Sequence, residues 1–191
     1  MTKVRLEFDE VQIHRPKKRW YLYFVVMVEH PTDREKMIIT TLPNEAFRLS
    51  KRHENSYQFD TDDEGSEGLF VFSRNLPKDR ELNVHVYLRH SRKKTRNLGD
   101  ILNELESGVG GDAFGIVKDI VGTTTTPWLV VAKKSVSLIG RILKDIPDRD
   151  FGFLSAFEEF GSEFDRTYEV DRKKDFTGDA SLVYSWSIDE T

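Results

Sequence analysis

The sequence predicts a mainly β protein, an antiparallel β-sandwich with an inserted helical segment. About six short strand-like runs with turn signals between them fill the first 99 residues, a spacing typical of sandwiches and barrels. A glycine-punctuated, partly helical stretch follows, and near-perfect apolar/polar alternation returns over residues 182–188. We therefore expect one domain over residues 1–191, with a sandwich core from 3–99 and 165–189 and a helical, glycine-rich insertion over about 100–164.

Composition excludes several classes of protein. The 191 residues include 29 basic and 33 acidic side chains, a net charge of −4, which argues against a general nucleic-acid binder. The absence of cysteine excludes a disulfide scaffold, a thiolate zinc site and a cysteine nucleophile. The first residues do not resemble a signal peptide and no apolar run reaches 18 residues, so we expect a cytoplasmic protein, either free or peripheral to a membrane.

The first two strands have distinct patterns. Residues 4–13 alternate apolar and polar side chains, and the alternation slips by one at Asp9–Glu10, which predicts a β-bulge. Residues 20–28 are aromatic and β-branched throughout, the pattern of a strand that is covered on both faces.

The later strands are shorter or weaker. Residues 37–42 predict a strand that ends at Pro43, and residues 82–88 alternate cleanly. Residues 57–59 and 69–72 predict short strands around an acidic turn, and 168–170 is a weaker candidate.

Three segments of the insertion predict helices. Residues 100–106 and 112–121 are short candidates, and 128–146 carries apolar side chains at steps of three and four between Pro127 and Pro147. The phenylalanines that follow have helical spacing as well, and predict one face of a short helix; they are Phe153, Phe157, Phe160 and Phe164.

The stretch from Val84 to Gly99 resembles a late-strand motif of the C2 domain family of calcium and phospholipid binders. An aromatic-containing strand with Val86–Tyr87 enters a loop that ends on the apolar-glycine pair Leu98–Gly99, and Asp150-Phe-Gly gives a similar ending. The resemblance implies a sandwich over roughly 3–106 and 165–189. It also implies that positions where the family has calcium-binding aspartates carry Leu88, His90 and Arg96 here.

The loop carries positive charge where the resemblance to C2 domains implies carboxylates. Calcium needs six to eight oxygen ligands, which these side chains do not supply, so the sequence predicts no metal and no cofactor. Basic residues attract anionic headgroups. The functional hypothesis is therefore a non-catalytic module that binds an anionic membrane or an acidic protein partner without calcium. The candidate binding residues are Arg15, Lys17, Lys18, Arg19, Arg89, Arg92, Lys93, Lys94 and Arg96. A solvated turn that protects a sheet edge is the alternative.

Two further functions stay open. One is a protein-interaction or assembly module that uses the insertion, with Trp128, Phe153, Phe157 and Phe160 as candidate contacts. The other is a membrane-perturbing effector in which the helix over 128–146 unpacks, although packing on the sandwich is the commoner fate of such a helix.

No catalytic motif is present, so the sequence predicts no enzyme. The histidines form no zinc-binding pair, and neither a nucleophile elbow nor a phosphate-binding loop occurs. Two acidic segments, Asp60–Glu64 and Asp145–Asp150, are left as weak candidates for a cation site, since the first lacks the final glutamate of a helix-loop-helix calcium loop.

Overall fold

The computed structural model describes residues 2–15, 19–50, 55–59, 68–92, 98–109, 118–119, 128–133 and 136–190. Over these ranges the chain forms two helices, α1 (Leu98–Val109) and α2 (Val136–Asp145). The strands are β1 (Thr2–Ile13), β2 (Arg19–Glu29), β3 (Lys36–Ser50), β4 (Ser56–Gln58), β5 (Leu69–Asn75), β6 (Glu81–His90), β7 (Lys118–Asp119), β8 (Trp128–Ala132), β9 (Arg149–Glu159), β10 (Glu169–Asp175) and β11 (Ala180–Glu190).

The strands form two antiparallel sheets, which confirms the predicted fold class. Sheet A has the order β10-β11-β1-β4. Strand β5 also pairs with β1, along residues 3–8, whereas β4 pairs with residues 10–12. Sheet B has the order β7-β8-β3-β2-β6-β9. The six strands predicted in the first 99 residues are present as β1 to β6, and the predicted last strand is β11.

A first apolar core fills the space between the sheets because alternate residues of each strand face it. In β1, Val4, Leu6 and Phe8 are each at most 1% exposed. The register of β1 against β11 then shifts between Phe8 and Glu10, which confirms the predicted bulge. The shift returns Val11 and Ile13 to the core.

A second apolar layer lies on the outer face of sheet B, beneath α1 and α2. Leu22 and Phe24 of β2 face the sandwich core, whereas Tyr23 and Val25 face the helices. The prediction that this strand is covered on both faces is therefore confirmed. The other buried side chains of this layer are Met27, Met37, Ile39, Ile101, Leu102, Leu105, Leu129, Val131, Ile139, Leu143 and Ile146.

The predicted helix over 128–146 is wrong in its first part. Trp128–Ala132 form β8, which pairs with β3, and α2 begins only at Val136. The run Trp-Leu-Val-Val suits a strand, and the edge of β3 supplies its hydrogen bonds. Of the predicted helix over 112–121, only Lys118–Asp119 are described, and they form β7. The segment 100–164 thus contributes three strands to sheet B as well as both helices.

The predicted phenylalanine helix is also wrong, because its first half is strand β9. Phe151, Leu154 and Ala156 are buried, while Phe157 is 56% exposed. A spacing of four residues between Phe153 and Phe157 fits the two-residue period of a strand as well as a helical turn. Leu154 and Ala156 are buried and alternate with the more exposed Phe153, Ser155 and Phe157, which is the period of a strand.

Strand β3 continues past Pro43, where the sequence predicted its end. Its pairing with β2 jumps from Leu42 opposite Phe24 to Phe47 opposite Leu22. The proline lies in this irregular stretch, where its missing N–H costs no ladder hydrogen bond.

One flank of the sandwich is closed by contacts between β9 and β10, the edge strands of the two sheets. Arg172 of β10 donates to Glu158 at 2.8 Å and to Glu163 at 2.7 Å. The hydrogen bonds to Arg172 lower the pKa of the Glu163 carboxyl. Further along β9, the Phe153 carbonyl accepts the Thr177 N–H at 2.9 Å, and the Phe153 N–H donates to Thr177 Oγ1 at 3.0 Å.

The bulge in β1 places Asp9 in an unfavourable position for a charge. Its Oδ1 accepts a hydrogen bond from Ser185 Oγ at 3.2 Å, and its Oδ2 is buried without a partner among the described residues. Burial raises the pKa of Asp9 from 3.8 to about 7; the Ser185 hydrogen bond opposes this, and the carboxylates of Asp171, Glu7 and Glu169 add to it.

We expect Asp9→Asn to remove a pH-dependent loss of stability. Because the folded-state pKa is raised, the contribution of Asp9 is fully present below about pH 4 and is lost as the pH rises towards about 7. At pH 8 the variant gains about 1 kcal/mol over the wild type, since water still reaches part of the carboxyl group. Urea unfolding at pH 5 and pH 8 measures this. The exposed Asp189→Asn is the control; equal pH dependence in all three proteins would contradict the assignment.

Gly140 allows α2 to pack closely on sheet B. A Cβ atom at this position would lie 2.6 Å from the Tyr87 hydroxyl oxygen, and the next nearest atom, Tyr87 Cζ, would be 3.5 Å away. The hydroxyl alone therefore excludes a side chain here. Burial raises the pKa of this hydroxyl, and the Asp150 carboxylate raises it further, so it stays protonated at neutral pH.

We expect Gly140→Ala to destabilise the protein by about 1–2 kcal/mol, because the added methyl group displaces Tyr87 or the helix. In a Tyr87→Phe background the clash is gone, and the same substitution stabilises the helix by up to about 1 kcal/mol. A double-mutant cycle measured by urea unfolding tests this. Additive effects would show that the hydroxyl is not the obstacle.

Candidate functional site

Several strand ends meet at one end of the sandwich, which we call the basic end: β1 and β6 finish there, and β2 and β9 begin there. Leu22 of β2 is opposite His90 of β6, and His90 is opposite Arg149 of β9. The Ser91 N–H donates to the Tyr21 carbonyl at 2.7 Å. The anchors of the two predicted basic loops, after Arg15 and after Arg92, therefore belong to the same end.

The predicted binding residues have different fates. Arg15 and Arg92 are exposed at the basic end, and Arg19 begins β2. Outside the described residues lie Lys17, Lys18, Lys93, Lys94 and Arg96.

Arg89 does not belong to the binding surface, because its side chain is 1% exposed. Its guanidinium group donates to the carbonyls of Leu143, Ile146 and Asp148, the last at 2.9 Å. These carbonyls lie at and just beyond the C-terminus of α2, where a cation complements the helix dipole and occupies carbonyls that lack an intrahelical donor. The continuous pairing of β6 with β2 places Arg89 opposite Tyr23, on the face of sheet B that the helices cover. The alternation in the sequence could not reveal that α2 covers this face.

Asp148 connects this buried arrangement to the surface. Its Oδ2 accepts a hydrogen bond from the Tyr23 hydroxyl at 2.9 Å, and its Oδ1 accepts the backbone N–H of Arg92 at 3.1 Å. The side chain is 8% exposed. The carboxylate therefore fixes the backbone at Arg92, where the second basic segment of the sequence begins.

Arg149 is the exposed cation of this end that the sequence analysis missed. Its guanidinium carbon lies 5.2 Å from the centroid of the Trp20 ring and 5.4 Å from that of Phe151, in cation–π geometry. The two rings contact each other edge to face at 4.4 Å and are nearly buried. No described carboxylate forms an ion pair with Arg149, so its charge faces outward. The Trp20 and Phe151 pair comes from strands far apart in sequence, and no local motif could have identified it.

His90 lies between these groups. Its ring contacts Trp20 edge to face at 4.9 Å and is half-buried. Burial lowers the pKa of His90; the Asp148 carboxylate acts in the opposite direction, and the Arg149 and Arg92 guanidinium groups lower the pKa further. The imidazole is therefore neutral at neutral pH, beside two fixed positive charges.

The candidate interaction residues do not form one surface. Phe160 is fully buried and cannot serve as a surface contact, whereas Phe157 is exposed. Phe153 is half-buried, with its ring stacked on His85 at 5.7 Å. The side chain of Trp128, at the start of β8, lies outside what the structure describes.

Of the two acidic segments, only Asp145–Asp150 is described, and no three histidine or carboxylate side chains of the described residues could hold a metal ion. Asp145 is exposed, Asp148 is bound as above, and Asp150 Oδ1 accepts the Gly152 N–H at 3.0 Å. Asp60–Glu64 lie outside the described ranges.

The apolar faces of the two helices, as far as their side chains are described, pack on sheet B. Ile139 and Leu143 of α2 are buried against sheet B, as Ile101 and Leu105 of α1 are. Of the helices in the described residues, none has the length and apolar character to span a bilayer.

Comparison with known proteins supplies no family. No protein-family model matches the chain, and no curated protein is similar to it. The resemblance to C2 domains therefore stays a prediction, and the site rests on its own geometry.

We expect Arg89→Met to destabilise the protein by about 3 kcal/mol, because it leaves buried carbonyl groups without donors. Arg92→Met, three residues further on, removes an exposed guanidinium group and changes stability by less than about 0.5 kcal/mol. Chemical unfolding of both variants measures the difference. Equal losses would show that Arg89 does not hold the end of α2.

Proposed function

We propose that the protein is a non-catalytic module that docks on anionic membrane surfaces through the basic end, without calcium. The observation that carries the proposal is the convergence of the anchors of separate basic segments, with Arg15, Arg92 and Arg149 exposed among them. Basic side chains near an anionic surface each contribute about 1 kcal/mol of attraction.

The sequence of the connecting segments supports the same function. Segments 14–19, 50–55 and 91–97 begin or end at described residues of this end, since Arg19 pairs with Ser50 and the Ile13 N–H donates to the Asn55 carbonyl at 2.7 Å. They contain four, two and four Lys or Arg residues, against a single Glu. These basic residues outnumber the carboxylates of Asp148, Asp150 and Asp179 at the same end. We therefore expect a positive field there although the net charge of the chain is −4.

Two features favour docking on a surface without insertion. Trp20 and Phe151 at the basic end are nearly buried, so among the described residues this end presents charge and no apolar wedge. The Asp148 carboxylate, at the described start of the second basic segment, is engaged by Tyr23 and by the Arg92 N–H. A cation is therefore not required to neutralise it.

The protein-interaction function is the second candidate. Phe157, 56% exposed on edge strand β9, is the observation in its favour. The other described phenylalanines of the candidate set are half-buried or buried, so the contact is small compared with a stable interface.

We expect the triple variant Arg15→Gln/Arg92→Gln/Arg149→Gln to bind vesicles that contain phosphatidylglycerol on the order of a hundredfold more weakly than the wild type. Sedimentation with phosphatidylcholine vesicles, with and without phosphatidylglycerol and in the presence of a chelator, measures this.

The matched control removes three exposed charges at the opposite end: Lys3→Gln/Lys78→Gln/Arg166→Gln. It carries the same net charge as the test variant. Equally weakened vesicle binding by both variants would show that only the net charge of the protein matters. Vesicle binding that requires calcium would also contradict the proposal.

A further inference from the structure

His90 occupies the centre of the basic end. It is the last residue of β6, its ring contacts Trp20, and its backbone is in register with Arg149. Arg149 is held over the rings of Trp20 and Phe151. Any anion that approaches the exposed guanidinium groups of Arg149 and Arg92 therefore comes close to the imidazole.

The charges around His90 can be assigned element by element. Arg149 on β9 and Arg92 after β6 are the cations that act on it, and Asp148 before β9 is the carboxylate. Arg89 on the same strand is directed to the carbonyls at the end of α2. From β2 the ring meets the uncharged Trp20.

A bound anion changes this balance. It neutralises Arg92 and Arg149, whose repulsion opposes protonation of the imidazole, and it is itself attracted to an imidazolium. Binding of the anion and binding of the proton then strengthen each other to the same extent, because the coupling between two binding events is reciprocal.

We infer that an anionic phosphodiester headgroup at the basic end binds together with a proton on His90, so that docking strengthens on acidification. This inference rests on the proposed function and adds its regulation. The module therefore binds anionic membrane surfaces with higher affinity at acidic pH than at neutral pH.

The first experiment measures vesicle affinity at pH 5.5 and pH 8. Phosphatidylglycerol is the anionic lipid, because its phosphodiester keeps one charge across this range. The wild type is expected to bind about three- to tenfold more tightly at pH 5.5 than His90→Gln does, with the two proteins converging at pH 8.

One control variant isolates the effect. His85→Gln removes a second half-buried histidine of β6, whose pKa is also lowered by burial but which lies away from the basic end, next to Phe153. It is expected to keep the wild-type pH dependence. Loss of that dependence in His85→Gln, or its persistence in His90→Gln, would overturn the assignment to His90.

The second experiment follows the His90 ring signals by NMR as a function of pH, in chloride and in sulfate at equal ionic strength. The charge of sulfate does not change between pH 5 and pH 8. We expect sulfate to move the titration midpoint of His90 upward and to leave that of His85 in place.

The outcomes separate the two proposals. Vesicle binding with an unmoved His90 midpoint overturns the proton linkage and leaves membrane docking intact. A sulfate-dependent midpoint without vesicle binding overturns membrane docking and retains a proton-linked site for soluble anions. Absence of both effects overturns both proposals.

Discussion

The architecture depends on the burial of β2 on both faces. Its alternate side chains enter two different apolar layers, the sandwich core and the layer under the helices. A half-buried strand needs one apolar face, but β2 carries apolar or aromatic side chains on both faces from Trp20 to Val28, because a charge on either face there would need a buried partner. The helices thus pack on side chains of β2, which lies inside sheet B between β3 and β6. The molecule therefore has three layers: sheet A, sheet B and the helices.

The buried Arg89 and Asp148 connect the third layer to the basic end. Arg89 holds the carbonyls at the end of α2, and Asp148 holds both the Tyr23 hydroxyl and the Arg92 N–H. Groups in such a network are costly to leave unpaired, so they fix their neighbours in one arrangement. The position of Arg92 at the surface is consequently tied to the packing of α2 on the outer face of sheet B.

Local periodicity predicted most of the fold, and its failures have physical causes. The bulge at Asp9, the two-sided β2 and the alternating β11 could be identified because each pattern is contained within one strand. The run from Trp128 resembles a helix because its apolar spacing continues into α2. It forms a strand because the edge of β3 is available to pair with it, which the local sequence does not show. Likewise, Phe153 and Phe157 have a spacing that both periods allow. The burial of Arg89 and the role of Arg149 depend on contacts across 50 or more residues, for which one sequence contains no signal.

The closed flank between β9 and β10 has a consequence for the behaviour of the chain in concentrated solution. An open edge strand offers a row of unpaired backbone groups, a template onto which another polypeptide can add and from which fibrils can grow. Here Thr177 forms hydrogen bonds with both the N–H and the carbonyl of Phe153 on β9. Arg172 of β10 adds an ion pair with Glu158 of β9. Desolvating that guanidinium group would be costly to an incoming strand, so this side of the molecule resists fibrillar growth even though Phe157 is exposed beside it.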